Sequence, residues 1–223
     1  MWDEGECWII GGGPSLIEQF GIPADVVEDV RAQRLPLSAF SPYMEAIHDK
    51  HIIGINAAFL LGRWVDMVFF GDNGFFLKNR RALAAFSGLK VSCAPKINQA
   101  QYRGDGIRFT PRNGSHSRGI ATIRGTVSWN KNSGAAAISV AAHTGVRRII
   151  LLGFDMRCGE DASQHWHAEY GRRAGNPKNE KGLPFARHLL GFPAIARDAR
   201  RMGIERSNAS PHSRITEFKR AKV

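Results

Sequence analysis

Cysteine is scarce in this 223-residue chain: Cys7, Cys93 and Cys158 are the three present. They are odd in number and show no CxxC spacing, so neither a disulfide framework nor a structural zinc site is expected. No run approaches the 18 or so consecutive apolar residues of a membrane span, and Asp3, Glu4 and Glu6 stand where a secretory signal would carry positive charge. These absences lead us to expect a soluble protein of a reducing cytoplasm. Internal repeats, low-complexity tracts, zinc-finger spacings and a recognisable helix-turn-helix are missing as well. Acidic residues are outnumbered, 20 against 31 Lys and Arg, giving a formal net charge of +11. That balance favours polyanionic partners by long-range attraction, so a nucleic acid partner is one expectation. The basic residues are nevertheless scattered, as in Arg80-Arg81, Arg147-Arg148, Arg172-Arg173 and Arg200-Arg201, without interleaved aromatics.

What the chain does contain is size enough for a single domain, 1–223, that buries about 70% of its unfolded surface. It also contains a stretch, Cys7-Trp8-Ile9-Ile10-Gly11-Gly12-Gly13-Pro14-Ser15-Leu16, that reads as a buried strand, a tight glycine turn and a helix start. Pro14 suits a first helical position because its missing N–H is one of the donors a helix start leaves unpaired. The remaining N–H groups and the helix dipole favour an anion there, and a phosphate is the expected guest. The turn is no P-loop, since no Lys-Ser or Lys-Thr follows at the right distance, and it lacks the GxGxxG order of a dinucleotide site.

Short apolar runs then alternate with helical spacing. Strands are expected at Ile52–Asn56, Asp66–Asp72, Leu89–Ala94, Ile107–Thr110, Ile149–Asp155 and Ile204–Asn208. Helices are expected from Pro14 to about Phe20, over Ala24–Arg34, over Asn73–Phe86, from Asn132 to about Thr144 with Gly145 ending it, and from Pro184 to about Met202 with a kink at Pro193. Pro36, Ser41 and Pro42 break the pattern between them. This grammar predicts an α/β fold, a mostly parallel sheet with helices on both faces and a site beyond the carboxyl ends of the strands. That edge gathers Gly11 to Ser15, Asn56, Asp72, Ser133 and Asp155. After Asp155 the composition turns polar, around Gln164-His165-Trp166-His167-Ala168-Glu169-Tyr170, and residues 156–183 read as a lid.

The order Gly-Gly-Gly-Pro-Ser-Leu (11–16), strand-Asn (56), strand-Asp (72), Ser-Gly with a small-residue helix (133–145), Ile-Leu-Leu-Gly-Phe-Asp (150–155) and a His pair (165, 167) resembles the bacterial lipooligosaccharide sialyltransferases. It is also similar to their 6-hydroxymethylpterin diphosphokinase-like relatives and to uncharacterised phage-borne proteins with the same motifs. The resemblance implies a variant Rossmann-like fold that handles a nucleotide-activated donor, a CMP-sugar or another nucleotide-sugar, with a lid histidine as general base. Carried over, Gly12, Gly13, Ser15, Asn56, Ser133 and Gly134 would bind the donor, with Gly11, Pro14, Asp72 and Asn132 beside them as further donor-binding candidates, and His165 or His167 would activate an acceptor hydroxyl. Gly12 departs from the family, which carries Asn in Gly-Asn-Gly-Pro-Ser, so one side-chain contact to the donor is missing here. A phage-encoded member would work in the host cytoplasm, and a homo-oligomer of undetermined order is expected.

The residues themselves support the same chemistry. Group transfer from a nucleotide needs phosphate charge stabilised, an acceptor deprotonated and water shut out. Arg118, Arg124, Lys131 and Arg172 are available for the first task and the histidines for the second. His165 and His167 are expected to face opposite ways, leaving at most one at the site, and neither has a third ligand for zinc. Asp155 is a further catalytic candidate. Asp72 and Asp155 would instead hold Mg²⁺ against a triphosphate in a diphosphokinase-like phosphotransferase. A phage DNA-binding or DNA-modifying protein is the other alternative. Each site residue has a structural reading beside the chemical one: Asp155 and Asp72 as turn caps, Ser133 as a helix N-cap, Trp166 and Tyr170 as packing rather than stacking on a base or sugar.

Overall fold

A computed structural model describes residues 2, 5–102, 104–169 and 182–223. Tyr170, Arg172 and most of the second half of the expected lid lie outside them. The apolar runs fold into eight strands: β1 (Glu6–Ile10), β2 (His51–Ile55), β3 (Met67–Phe70), β4 (Leu89–Ser92), β5 (Ile107–Phe109), β6 (Arg148–Leu152), β7 (Glu205–Asn208) and β8 (Lys219–Arg220). They form one sheet in the order β5-β4-β3-β2-β1-β6-β7-β8, and all seven pairings are parallel. Parallel strands must be joined by crossovers, which places helices over both faces and explains why these strands are apolar at successive positions.

The two faces read directly from alternate residues. Cys7, Ile9, Ile53, Met67, Phe69, Ile149 and Leu151 point into one core, beneath α4 (Ser133–His143) and α6 (Phe192–Arg201). Trp8, Ile10, Ile52, Val68, Phe70, Ile150 and Leu152 point into the other, with α1 (Ser15–Gln19), α2 (Ala24–Arg31) and α3 (Asn73–Ala85) on that side. Small residues let α4 lie close to the sheet: Ala135, Ala136, Ala137 and Ala141 are fully buried. Gly145 ends that helix at φ 94°, a left-handed angle closed to most side chains.

Local corrections follow from tertiary packing. The breaker-rich segment around Ser41 and Pro42 is a 3₁₀ stretch, Leu37–Ile47, because Leu37, Phe40, Met44 and Ile47 all reach the core. The expected helix to Met202 is two helices, α5 (Phe185–Leu189) and α6, separated at Leu190 and Gly191. Pro193 lies in the first turn of α6, where its absent N–H costs nothing and no kink is needed. The strand expected to reach Asp155 stops at Leu152, and β8 was not anticipated, since two residues carry no periodicity.

The first strand lies in the middle of the order, with β2 on one side and β6 on the other. Chain connections leave β1 and β6 in opposite directions there. A crevice consequently opens beyond their carboxyl ends, the usual ligand position in open parallel sheets.

Candidate functional site

That crevice is a cleft of about 320 Å³. Its walls include Gly11, Gly12 and Gly13 after β1, Asn56 after β2, Asp72 after β3, Phe154 and Asp155 after β6, and Lys131 to Gly134 at the start of α4. His165 and His167 complete the lining, His165 against Gly12. The structure thus brings the separate sequence motifs to one place. A larger hollow of about 530 Å³ opens beside α1 and α2 and shares only Asp155 and Arg157 with the cleft. It holds neither the glycine turn nor the histidine pair, so the smaller cleft is the candidate site.

The glycine turn is fastened to the end of β6. Gly11 N–H donates to Leu152 O at 2.8 Å and Gly13 N–H to Gly153 O at 2.7 Å. Ser15 N–H donates to Asp155 Oδ2 at 2.8 Å, and Ser15 Oγ–H donates to Asp155 Oδ1. The expectation of a phosphate at the start of α1 is therefore corrected: the protein's own carboxylate occupies that helix start. A Cβ on Gly13 would lie 2.5 Å from Asp155 Oδ2 and 2.6 Å from Gly153 O, so only glycine permits the approach. Asp155 is 2% exposed, and burial raises its pKa against the opposing pull of the Ser15 hydrogen bonds. It is a clip between two strand ends, not a group free for proton transfer.

The two acids expected for Mg²⁺ both carry structural hydrogen bonds. Both Asp155 oxygens are taken by Ser15, and Asp72 Oδ1 caps α3 by accepting Phe75 N–H at 2.9 Å. Among the described residues, no three His, Cys, Asp or Glu side chains cluster as an all-protein metal site.

The start of α4 is capped one residue earlier than expected. Asn132 Oδ1 accepts Gly134 N–H at 2.9 Å and Ala135 N–H at 3.4 Å, which frees the Ser133 hydroxyl from capping. That arrangement identifies Oδ1 as the acceptor and leaves Nδ2 as a donor. Asn132 Nδ2 and Asn56 Oδ1 are both buried atoms with no hydrogen-bond partner among the described residues. An unpaired buried polar group costs about 1–3 kcal/mol. One donor and one acceptor of this kind in one cleft are complementary to a polar ligand.

The histidine pair is a second correction. The rings of His165 and His167 do not diverge: they stack with centroids 5.3 Å apart and planes 4° from parallel. Side chains two apart in an extended segment share a face, and the intervening Trp166 takes the other. Trp166 is fully buried against Phe40, and its Nε1–H donates to Gly11 O at 2.9 Å. Its role is packing. Its backbone N–H also donates to Gly12 O at 3.0 Å, so this part of the expected lid is tied down on the glycine turn. Glu169 N–H donates to His167 Nδ1 at 3.3 Å, which puts the proton of the neutral ring on Nε2. Burial first, then His165 and Lys78, hold the His167 pKa well below its ordinary value.

Several lining residues were not signalled by motif or period. His188 and Arg187 arrive from α5, Arg157 from the segment after β6, and Trp129 from the loop before α4. Of the expected phosphate partners, Lys131 lines the cleft, while Arg118 and Arg124 are exposed and do not. Arg157 and Arg187 supply the positive charge in their place. Neighbouring basic residues alone would not have distinguished these, because only the fold decides which arginines reach the strand tips.

Burial, then Arg187 and His165, lowers the His188 pKa to about 4. A depressed histidine is neutral in the folded chain, so its stabilisation is complete above the unfolded value near 6.5 and is lost as pH falls toward the folded value. For His188 alone this amounts to about 2–3 kcal/mol between pH 6.5 and 4, allowing for its partial exposure. Urea unfolding at pH 7 and pH 4.5 is expected to show this loss, and His188→Asn is expected to reduce it. An unchanged pH dependence in the variant would contradict the assignment.

Comparisons with known proteins bear on the fold. No protein-family model matches the sequence, and a search of curated proteins finds no match. Among solved structures, the chain is similar to the sialyltransferase CstII from Campylobacter jejuni in complex with a substrate analogue, cytidine-5'-monophosphate. That likeness has a TM-score of 0.52 at 14% identity and covers 99% of this chain and 86% of that one. A second structure, the sialyltransferase CST-II in complex with a trisaccharide acceptor and CMP, gives a TM-score of 0.51 at 14% identity over 96% of this chain and 84% of that one. The fold of this chain is sialyltransferase-like.

Proposed function

We propose that the chain is a transferase using a nucleotide-activated donor, a glycosyltransferase of the sialyltransferase-like kind. The observation that carries the reading is the pair of amide groups, Asn56 Oδ1 and Asn132 Nδ2, unpaired among the described residues, on side chains that line one cleft with the stacked histidines at the strand tips. The acceptor Oδ1 suits a ribose hydroxyl or a base amine, and the donor Nδ2 suits a phosphate or carbonyl oxygen. Lys131, Arg157 and Arg187 match the charge of a phosphate. The solved relatives of like fold hold CMP. In the reaction, the acceptor hydroxyl attacks the transferred sugar, the bond to the nucleotide phosphate breaks, and the hydroxyl proton passes to a histidine.

His165 is the better base of the pair. The neutral His167 ring carries its proton on Nε2, toward which it is a donor, and it is 5% exposed. His165 is less buried and lies over the bare Cα of Gly12, where an added Cβ would come within 2.7 Å of its Nδ1. The missing side chain at position 12 is thus the space the imidazole uses.

Isothermal titration with CMP, UDP, GDP and ADP tests the reading. One nucleotide is expected to saturate, and Asn132→Asp is expected to weaken it about tenfold or more. Aspartate still caps α4 but replaces the donor by a negative oxygen, so the melting temperature is expected to hold. No binding to any of the four would end the proposal.

A further inference from the structure

Trp129 packs partly against the core beneath α4 and also lines the cleft. Its ring edge sits on Gly71, just beyond β3, where a Cβ would come within 2.8 Å of ring atom Cζ3. The guanidinium of Arg112 lies 3.5 Å from the ring centroid. That cation is pinned, donating from Nε to Cys93 O and from Nη2 to Gly71 O, each at 2.5 Å. The Trp129 backbone N–H donates to Ser117 Oγ at 2.9 Å. The indole is thereby held from one face, one edge and the main chain.

The next two residues, Asn130 and Lys131, both adopt left-handed angles, φ 51° and 55°. Such angles cost energy in residues other than glycine and persist only where surroundings enforce them. Here Asn130 enforces them: its Nδ2 donates to Gly119 O and Ser128 O at 3.0 Å, and its Oδ1 accepts Gly119 N–H at 2.8 Å. The strained turn delivers Trp129, Lys131, Asn132 and Ser133 together to the cleft wall. Trp8 and Trp166 are buried, and so are Phe154 and Phe185 of the cleft. Trp129 is partly exposed and lines the cleft.

We infer that Trp129, backed by Arg112, is the stacking platform for the nucleobase of the bound nucleotide, an inference that rests on the nucleotide-binding reading above. An aromatic ring backed by a cation and fixed in orientation stacks on any base, because every base presents a π-face. The platform therefore supplies affinity, while base identity is read by the polar groups beside it.

The test is titration of the full chain and its Trp129→Phe and Trp129→Leu variants with the nucleotide that wild type binds most tightly. Phenylalanine keeps a flat face and leucine keeps apolar bulk without one, and urea midpoints verify that both fold. Trp129→Phe is expected within about threefold of wild type, and Trp129→Leu weaker by about tenfold to a hundredfold. Equal affinities in all three proteins, or an equal loss in both variants, would overturn the platform and leave the proposed function standing. No nucleotide binding by wild type would overturn both.

Discussion

Replacing His165 with alanine is expected to lower turnover by about 10²- to 10⁴-fold while nucleotide affinity stays within a few fold. The range is what a positioned general base contributes. It is the largest effect available at this site, because the acids are committed elsewhere: Asp155 to Ser15 and Asp72 to the start of α3. Release of nucleotide from a labelled nucleotide-sugar measures the turnover, and titration measures the affinity. His167→Ala removes the ring on which His165 stacks, so a smaller loss is expected there, through a base that is present but poorly held. A His165→Ala variant retaining half of the proposed activity, beside an inactive His167→Ala, would reverse the two roles.

The second large effect is on stability. Asp155→Ala is expected to cost about 3 kcal/mol, read as a lower urea midpoint with the slope unchanged. The substitution strands two buried donors of Ser15, each worth about 1–3 kcal/mol when unpaired. The relief of burying a carboxylate, visible in its raised pKa, offsets part of that. Gly13→Ala attacks the same junction from the other side, since its methyl would meet the Asp155 carboxylate and the Gly153 carbonyl inside contact distance. Backbone cannot yield as a flexible side chain can, so a loss of similar size is expected, with the cleft distorted. If both variants unfold like wild type, the clip between β1 and β6 is not what holds the crevice.

Much of the fold was legible from the chain alone. Ile9-Ile10, Ile52-Ile53, Phe69-Phe70 and Leu151-Leu152 are apolar at consecutive positions, as a short strand covered on both faces is, and the spacing between them fits crossover helices. Asn56, Asp72 and Asp155 were placed at strand tips by the same reading. What could not be read was how those polar groups are spent. Ser15 and Asp155 are 140 residues apart, and their hydrogen bonds consume the helix start that looked ready for a phosphate. Asn132 took the cap that Ser133 was expected to make. His188 and Arg187 carry no motif, and only the position of α5 brings them to the cleft.

The sequence by itself determined the layers of this protein, the parallel sheet and the edge on which a site would form, because apolar periodicity and glycine turns act over a few residues. The tertiary structure alone decided which polar groups at that edge stay available, since donors and acceptors from distant segments compete for the same partners. Among the described residues, that competition leaves Asn56 and Asn132 with unpaired atoms and Asp155 with none.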